Sequence, residues 1–284
     1  MNNRTRWFGI IGYPIRHSLS PLMHNAAFEA LGLDYCYIPL TVEPPRVRSA
    51  VKALRWLQFR GFNVTIPHKQ RIMAYLDRLT PEAKLIGAVN TVDIHQGRLI
   101  GHNTDGRGFL RSVMEVTGQT VTDKRVLLLG AGGAARAVAF QLILENVATM
   151  FISNRSSARA HGLARDLGRS PNRCFLSVLP WTEKALKKAV QETDIIINAT
   201  SVGMNPSDPP LLASDVLKSR HIVCDLVYKP ATTGLLRQAQ AAGATVITGL
   251  GMLVHQGALS FEIWTGQRPP VDVMREAVGR AIMG

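Results

Sequence analysis

A lysine and an aspartate are the side chains in this sequence best suited to acid–base chemistry. Lys69 follows Pro67-His68, and Pro67 predicts a helix start that puts Lys69 in the first turn. The dipole at that end of a helix disfavours a positive charge, so a lysine there can exchange a proton. Asp105 lies in Asn103-Thr104-Asp105-Gly106, where a second helix is expected to begin. The pattern alone favours an exposed surface lysine for Lys69, and it leaves an ordinary helix-start carboxylate open for Asp105.

Polar side chains near the end of an apolar strand form a second candidate group. Asn63 and Thr65 stand two apart in GFNVTIP, so both project from one face of a strand predicted over 61–66. Such a pair suits recognition of hydroxyl groups, although an edge strand with a wet face gives the same pattern. Ser18 and Ser20 lie in HSLSP. Helix capping explains Ser20 and leaves Ser18 without a structural reason.

A glycine-rich turn between a buried strand and a helix predicts nucleotide binding. The segment 126–137, VLLLGAGGAARA, begins with apolar residues that predict a parallel strand. Gly130 permits the tight turn, Gly132 lets the backbone approach a pyrophosphate, and Ala135 lets the helix pack on its strand. The N-terminus of that helix directs unpaired N–H groups toward an anion. A similar turn in another α/β domain is the less favoured alternative.

The residues after the next predicted strand indicate which dinucleotide binds. NAD-binding units usually carry an acidic residue here that bonds the ribose 2′-hydroxyl, and none occurs before Asp166. Arg155 and Arg159 stand there instead and suit a 2′-phosphate, so the predicted cofactor is NADP. Cations at a helix start oppose the helix dipole, which makes an ordinary surface role for this pair less favoured.

The elements that must position these residues alternate between strands and helices. The first third of the chain predicts an open α/β sheet, in which strands at 86–94 and 98–100 form a hairpin. Strand–helix repeats follow and predict a doubly wound Rossmann sheet, with strands at 126–129, 150–153, 174–178, 194–198, 221–226 and 244–247. Helical patterns at 252–265 and 271–282 precede no further strand and are expected to pack on the first domain.

These patterns predict an α/β protein of two domains with a cleft between them. The substrate-binding catalytic domain is expected over residues 1–104, completed by the C-terminal helices within residues 252–284. The doubly wound NADP-binding Rossmann domain is expected over residues 105–251. The length of 284 residues suits this division.

Composition argues against several classes of protein. With 46% hydrophobic and 19% charged residues, the chain suits a soluble globular protein, and no apolar run approaches a membrane span. Three widely spaced cysteines, without an N-terminal signal pattern, predict reduced thiols and a cytoplasmic location. His17, His24 and His68 do not follow a zinc-binding spacing, so no metal site is expected.

The strongly basic balance raises nucleic-acid binding as an alternative. The formal net charge is +13 and the pI is about 10.2. However, the basic residues are scattered in ones and twos, without a basic run or interleaved aromatic residues. A basic surface that favours anionic small molecules is the preferred interpretation, and no nucleic-acid partner is expected.

The motifs of this chain resemble those of the shikimate dehydrogenase family over nearly its full length. They occur in the family's order: GYPIRHSLSPLMHN at 12–25, NVTIPHK at 63–69, GAVNTV at 87–92, GHNTDGRGF at 101–109, GAGGAARA at 130–137, SNRS at 153–156, NATSVGM at 198–204, DLVYKPATT at 225–233 and GLGMLVHQG at 249–257. The resemblance implies a reversible NADPH-dependent reduction of 3-dehydroshikimate to shikimate, in the pathway to chorismate and the aromatic amino acids. It requires no metal.

The resemblance also implies roles for individual residues. Lys69 and Asp105 match the family's catalytic pair. The substrate-binding positions are matched by Ser18, Ser20, Asn63, Thr65, Lys69, Asn90, Asp105, Tyr228 and Gln256. The cofactor-binding positions are matched by Gly130, Ala131, Gly132, Gly133, Ala134, Asn154, Arg155, Ser156, Arg159, Leu226, Gly249 and Met252.

Some details bear on specificity and assembly. The family's basic loop usually reads NRT, and here Ser156 replaces the threonine while keeping a hydroxyl. Ser20 favours shikimate over quinate, and a quinate/shikimate dehydrogenase of broader substrate use is the alternative. A catalytically idle NADP-binding regulator is disfavoured by the presence of Lys69 and Asp105. Relatives occur as monomers and dimers, and a homodimer is the partner that the resemblance allows.

Overall fold

The computed structural model describes residues 2–170, 173–205, 207–213 and 215–283. The chain divides into two compact units, and the first is discontinuous in sequence. The first unit comprises Met1–Gly108 and Val254–Gly284, and the second comprises Phe109–Leu253. The chain therefore passes between the units within two helices, α4 (Asp105–Thr117) and α9 (Gly249–Thr265).

The first unit is built on a mixed sheet. Its strands are β1 (Arg6–Gly12), β2 (Tyr35–Thr41), β3 (Gly61–Val64), β4 (Arg78–Leu79), β5 (Thr91–His95) and β6 (Arg98–His102). In the described residues they lie in the order β2-β1-β3-β5-β6-β4. The β2-β1-β3 portion is parallel, β5 is antiparallel to both β3 and β6, and β4 runs parallel to β6.

Helices surround this sheet. They are α1 (Ser20–Ala30), α2 (Val47–Trp56) and α3 (Pro81–Ile86), with α10 (Val271–Met283) packed against α1. Short 3-10 helices lie at Pro44–Arg46 and Arg71–Tyr75. On α2, Val47, Val51 and Leu54 recur at helical spacing and are buried. They pack in a core with Phe62 and Val92 from the sheet.

Two local predictions in this unit were wrong. The hairpin at Gln96-Gly97 is present, but its first strand begins only at Thr91, because α3 and the residues after it occupy the earlier part of 86–94. The predicted strand 61–66 ends at Val64. A turn containing a cis Ile66-Pro67 peptide bond follows it, so the helix predicted from Pro67 is absent from this described segment.

The second unit carries the doubly wound sheet that the sequence predicts. Its strands are β7 (Arg125–Leu129), β8 (Thr149–Ser153), β9 (Phe175–Leu179), β10 (Ile195–Asn198), β11 (Ile222–Asp225) and β12 (Thr245–Ile247). They are all parallel, in the order β12-β11-β10-β7-β8-β9. The strand order reverses beside β7, and ligands of such sheets bind at the carboxyl ends near that point.

Helices between the strands complete the second unit. They are α5 (Gly133–Leu144), α6 (Ser157–Leu167), α7 (Glu183–Glu192) and α8 (Gly234–Ala241). Parallel strands covered by helices read as continuous apolar runs, and Val126 to Leu129 are all fully buried. Within the described part of the chain, no helix is both long and apolar enough to cross a membrane.

Candidate active site

A close ion pair joins the two candidate acid–base residues within the first unit. Lys69 Nζ lies 2.5 Å from Asp105 Oδ2, and the side chains are only 16% and 5% exposed. Lys69 stands in the turn after β3, where its carbonyl accepts a hydrogen bond from Val89 N at 2.8 Å. Because Lys69 is outside any helix, the predicted effect of a helix dipole on it was wrong. The carboxylate of Asp105 is the charge that faces it.

Asp105 is fixed by its neighbours as well as by Lys69. It is the first residue of α4, where a carboxylate is favoured by the helix dipole. Its N–H donates to Asn103 Oδ1 at 3.0 Å, and the Asn103 amide donates to Ala88 O at 3.0 Å. Asp105 Oδ1 accepts from Asn90 Nδ2 at 2.8 Å. Both carboxylate oxygens therefore have a donor, and the side chain has one orientation.

Asn90 is the centre of a buried hydrogen-bond network around this pair. Besides Asp105, its Nδ2 lies 2.8 Å from Thr104 Oγ1 and 3.3 Å from Gln256 Oε1. Its Oδ1 accepts from Thr104 N at 2.8 Å and from Thr91 Oγ1 at 2.9 Å. Each hydrogen-bonding position of this amide thus has a protein partner.

Asn63 and Thr65 lie at the end of β3. Asn63 is 4% exposed, and its Nδ2 lies 3.1 Å from Asn90 O and 3.0 Å from Ser260 Oγ. Thr65 is one residue beyond the strand and is half-buried, with its N–H donating to Ile11 O at 3.0 Å. Asn63 is consequently part of the network, whereas Thr65 stands beside it.

The two serines lie at the start of α1, but Ser20 does not cap it. Leu19 occupies the cap position, and Ser20 is the first helical residue, so the capping interpretation was wrong. Ser20 N donates to Ser18 Oγ at 3.3 Å. Ser20 is buried, and its side chain lies near the Tyr37 hydroxyl, where it offsets part of the rise in the Tyr37 pKa that burial causes. Ser20 therefore lies among buried polar groups rather than at the helix cap.

The glycine-rich turn of the second unit has the geometry of an anion cradle. Gly130 has a φ of +114°, and a Cβ added there would lie 2.8 Å from Ala199 O. Gly132 is exposed at the cap position of α5, and Gly133 and Ala134 form its first turn. Among the described residues, a Cβ added at Gly132 meets no atom within 4 Å. The first N–H groups of a helix have no partner within it, so the start of α5 beside this open space offers the donors that a phosphate needs.

A cavity of about 280 Å³ lies beside the loop after β8 that carries Arg155. Arg155 lines it, together with Trp181, Ser201, Val202, Met204, Asn205, Asp208, Pro209 and Pro210. Asn154 Nδ2 donates to Ser156 O at 2.9 Å and shapes the loop, while Arg159 stands exposed in the first turn of α6.

Asp208 is an acidic group that the strand-end pattern missed, since it comes from a distant loop. Its Oδ2 accepts from Gly203 N at 2.7 Å and from Asn205 N at 3.1 Å. These backbone bonds, with a smaller contribution from the positive charge of Arg155, lower the pKa of Asp208 below its ordinary value. The charged carboxylate of Asp208 therefore lines the same cavity as Arg155.

The remaining candidate residues belong to the second unit. Some lie just after β11 and the others lie at the start of α9. Leu226 N donates to Asn198 O at 2.9 Å, and a Cβ at Gly249 would lie 2.5 Å from Leu226 O. Gly249 therefore lets α9 start directly against the Leu226 backbone. Met252 is buried one turn later. Tyr228 is half-buried, and burial raises the pKa of its hydroxyl above the ordinary value.

Residues beyond the predicted set hold this part of the second unit in place. Asp225 is fully buried, and its carboxylate accepts from Asn198 Nδ2 at 2.9 Å, Val227 N at 3.0 Å and Thr233 Oγ1 at 2.6 Å. Desolvation by burial raises the pKa of Asp225, while these three donors oppose that shift. The motif residues Asn198 and Asp225 thus tie together the loops after β10 and β11.

Two of the three histidines considered for metal binding have structural surroundings, and the third, His17, is exposed. His68 bonds the Val42 carbonyl at 2.7 Å, and His24 is fully buried against aromatic rings. Within the described residues, no group of three or more His, Cys, Asp or Glu side chains could hold a metal ion.

Family profiles match the chain in three consecutive parts. One described as "Shikimate dehydrogenase substrate binding domain" matches residues 10–92. A second, "Shikimate / quinate 5-dehydrogenase", matches residues 112–208, and a third, "Shikimate 5'-dehydrogenase C-terminal domain", matches residues 249–278.

Individual relatives are similar over nearly the whole length. A shikimate dehydrogenase (NADP(+)) from Desulforamulus reducens is 44% identical, with 99% of this chain and 97% of the relative covered. A shikimate 5-dehydrogenase from Thermus thermophilus, solved in complex with NADP(H) and shikimate, gives a TM-score of 0.87 at 41% identity, covering 97% and 99% of the two chains. A quinate dehydrogenase from Corynebacterium glutamicum, solved with NAD, gives a TM-score of 0.90 at 31% identity, again covering 97% and 99%.

Proposed function

We propose that this chain, which belongs to the shikimate dehydrogenase family, catalyses the reversible NADP-dependent reduction of 3-dehydroshikimate to shikimate. It is an oxidoreductase that acts on a CH–OH group and uses NADP. The reaction serves chorismate and aromatic amino acid biosynthesis. The observation that carries the proposal is the buried Lys69–Asp105 pair, because it provides a proton donor and an acceptor in the unit that matches the substrate-binding profile.

The pair supplies the proton that a carbonyl reduction needs. Bound NADPH supplies the hydride, which leaves a negative charge on the former carbonyl oxygen. Lys69 holds a proton at Nζ that can be delivered to that oxygen, and in the reverse direction Nζ accepts the hydroxyl proton. Asp105 holds the ammonium in one position and offers a carboxylate oxygen to a neighbouring ring hydroxyl.

The polar residues around the pair suit a hydroxylated acid. In this proposal Ser18, Ser20 and Tyr228 bind the carboxylate through neutral hydroxyls, and Asn63, Thr65, Asn90, Asp105 and Gln256 bind ring hydroxyls. Each hydrogen-bonding position of the Asn90 amide has a protein partner, so a ring hydroxyl can bond to Asn90 only by replacing one of these bonds. The longest is the 3.3 Å bond to Gln256.

The second unit fits NADP in its chemistry. The open space at Gly132 and the first N–H groups of α5 suit a pyrophosphate. Asn154, Arg155, Ser156 and Arg159 suit the 2′-phosphate, and Leu226, Gly249 and Met252 suit the nicotinamide. We therefore assign NADP binding to the second unit (Phe109–Leu253). Substrate binding, apart from Tyr228, is assigned to the first unit (Met1–Gly108 with Val254–Gly284), so that Asp105 and Met252 each lie in the unit of their proposed role.

Steady-state kinetics of Lys69→Ala test the proposal. General acid–base catalysis contributes about 10²–10⁴-fold, so kcat should fall by that factor while KM for shikimate stays within a few-fold. NADPH formation with shikimate is the assay, and Lys84→Ala is the matched control because Lys84 is an exposed lysine in the same unit. A raised KM with an unchanged kcat would make Lys69 a binding residue and remove it from the proton step.

A quinate/shikimate dehydrogenase of broader substrate use is the second candidate. It is supported by the similarity to a quinate dehydrogenase over 97% of this chain. The ratio of kcat/KM for shikimate to kcat/KM for quinate separates the two. A ratio near one would favour the broader enzyme, and undetectable quinate turnover would remove it.

Location and assembly complete the proposal. A cytoplasmic enzyme is supported by free thiols at Cys36, Cys174 and Cys224 in the described residues. A homodimer is proposed from the family resemblance, and light scattering that gives the mass of one 31.1 kDa chain would contradict it.

A further inference from the structure

A buried tyrosine is hydrogen-bonded to a residue assigned to substrate binding. Tyr37 lies on β2, is 1% exposed, and donates its hydroxyl hydrogen to Asn63 Oδ1 at 2.7 Å. The side chain of Ser20 lies near the same hydroxyl.

The surroundings of Asn63 determine the direction of the bond from Tyr37. Asn90 O is a carbonyl and can only accept, so the atom of Asn63 that faces it at 3.1 Å must be the amide nitrogen. Oδ1 therefore faces Tyr37 and accepts its hydrogen. One lone pair of Oδ1 then stays available for a hydroxyl donor from a ligand.

The hydroxyl of Tyr37 keeps the proton that this bond needs. Burial raises the pKa of Tyr37 well above its ordinary value, and the nearby Ser20 side chain opposes this only in part. The hydroxyl therefore stays protonated and keeps Asn63 Oδ1 as its acceptor.

Two residues of the GYPIRHSLSPLMHN motif that lack a role in the site hold Tyr37 in place. Asn25 lies against the outer edge of β2, accepting from Tyr37 N at 2.8 Å and donating to Tyr37 O at 2.9 Å. His24 stacks on the Tyr37 ring with centroids 4.5 Å apart and an interplanar angle of 12°. Backbone, ring and hydroxyl of Tyr37 are thus each fixed.

We propose that Tyr37 is a positioning residue that sets the orientation of Asn63 toward the substrate, with Asn25 and His24 as its supports. This rests on the proposed function. Tyr37 acts through Asn63, so its loss should weaken ground-state binding of the hydroxylated acid. The loss should leave NADP binding and the proton step unchanged, because the hydrogen bonds of Tyr37 are made with Asn25 and Asn63 of the first unit.

Tyr37→Phe tests this, because it removes one oxygen and keeps the ring. We expect KM for shikimate to rise about threefold to tenfold, the range for loss of one neutral hydrogen bond. The KM for NADP and kcat should stay within twofold. Tyr35→Phe is the matched control: Tyr35 is two residues away on β2, and its hydroxyl accepts from Arg6 NH1 at 3.2 Å. Equal effects of the two variants, or an equal rise of KM for NADP, would overturn the proposal.

A double-variant cycle distinguishes positioning from a general structural effect. In an Asn63→Ala background, Tyr37→Phe should change KM for shikimate by less than in the wild type, since the acceptor of its bond is gone. Full multiplication of the two effects would refute action through Asn63. If the wild type did not oxidise shikimate, the proposed function and this inference would both fall. Normal wild-type turnover with an unaffected Tyr37→Phe variant would refute only the inference.

Discussion

Substitution by alanine should have different effects at Gly130 and at Gly132 of the glycine-rich turn. Gly130 has a φ of +114°, and its Cβ would lie 2.8 Å from Ala199 O and 2.9 Å from Ala199 C. Gly132 has a φ of −84°, which alanine adopts readily, and the described residues leave open space around its Cβ. Gly130→Ala should therefore damage folding, whereas Gly132→Ala should damage NADP binding.

The magnitudes follow from these positions. At Gly130 the backbone strain costs about 1–3 kcal/mol, and moving the chain at Ala199 adds about 1–3 kcal/mol, so the free energy of unfolding should fall by about 2–6 kcal/mol. At Gly132, alanine should change that free energy by less than about 1 kcal/mol, because its conformation is compatible. A methyl group in the approach of a pyrophosphate should raise KM for NADP about tenfold or more, as expected for lost charge-assisted bonds.

Urea unfolding followed by circular dichroism measures the first effect, and steady-state kinetics measure the second. Each variant is the control for the other, since both add one methyl group within the same turn. Wild-type KM for NADP in Gly132→Ala would refute the close approach of the pyrophosphate to this backbone. Wild-type stability of Gly130→Ala would show that the turn has another conformation.

Further changes test the cofactor choice, the catalytic pair and a buried histidine. Arg155→Ala should reduce the preference for NADP over NAD by one to two decades, consistent with about 1.5–3 kcal/mol per charge-assisted contact, and Arg165→Ala on α6 should not. Asp105→Asn should lower kcat and raise KM for shikimate, and a change in only one constant would contradict its double role. Burial lowers the pKa of His24 to about 3 from 6.5, so below pH 6.5 the unfolded state binds a proton that the folded state does not. Stability should therefore fall as pH drops below 6.5, with a slope that approaches about 1.4 kcal/mol per pH unit near pH 5, and urea unfolding of His24→Phe should lack this share of the slope.

The doubly wound sheet could be predicted because its signals are local. Each of its strands is a short apolar run followed by a helical pattern, and parallel strands need such runs to be buried on both faces. Strand 126–129 was predicted within one residue of β7 (Arg125–Leu129) for this reason. The βαβ repeats also restrict the pairing order, since right-handed crossovers leave few arrangements.

The first unit was predicted less well, because its short elements depend on end signals. Thr80 caps the start of α3, with its side chain accepting from Ala83 N, and Gly87 caps the end with a φ of +70°. Thr-Pro-Glu before an apolar residue, with a glycine after it, is a readable helix pattern that the strand prediction at 86–94 overlooked. Pro67, by contrast, gives no local sign that a turn rather than a helix follows it.

The site was predictable only in its residue types. Lys69, Asp105, Asn63 and Asn90 are polar residues in motifs, and the resemblance assigns them roles. Their hydrogen-bond directions depend on partners far away in sequence, such as Ser260, which lies 197 residues from Asn63. Asp208 likewise reaches the cavity of Arg155 from another loop, so no pattern at the strand end could reveal it.

The burial of the Lys69–Asp105 pair bears on why these residues are present. Removing two charges from water costs several kcal/mol per ion, and apolar residues of similar volume often stabilise a fold as well as a buried ion pair does. The side chains of Lys69 and Asp105 are 16% and 5% exposed. A contribution to fold stability is therefore a weak explanation for burying them as an ion pair. Its carboxylate is also held on the other oxygen by Asn90, and its lysine is held at the backbone by Val89. Since the carboxylate is fixed from outside the pair, it can keep the ammonium oriented while the proton of Lys69 is exchanged, which acid–base chemistry requires and packing does not.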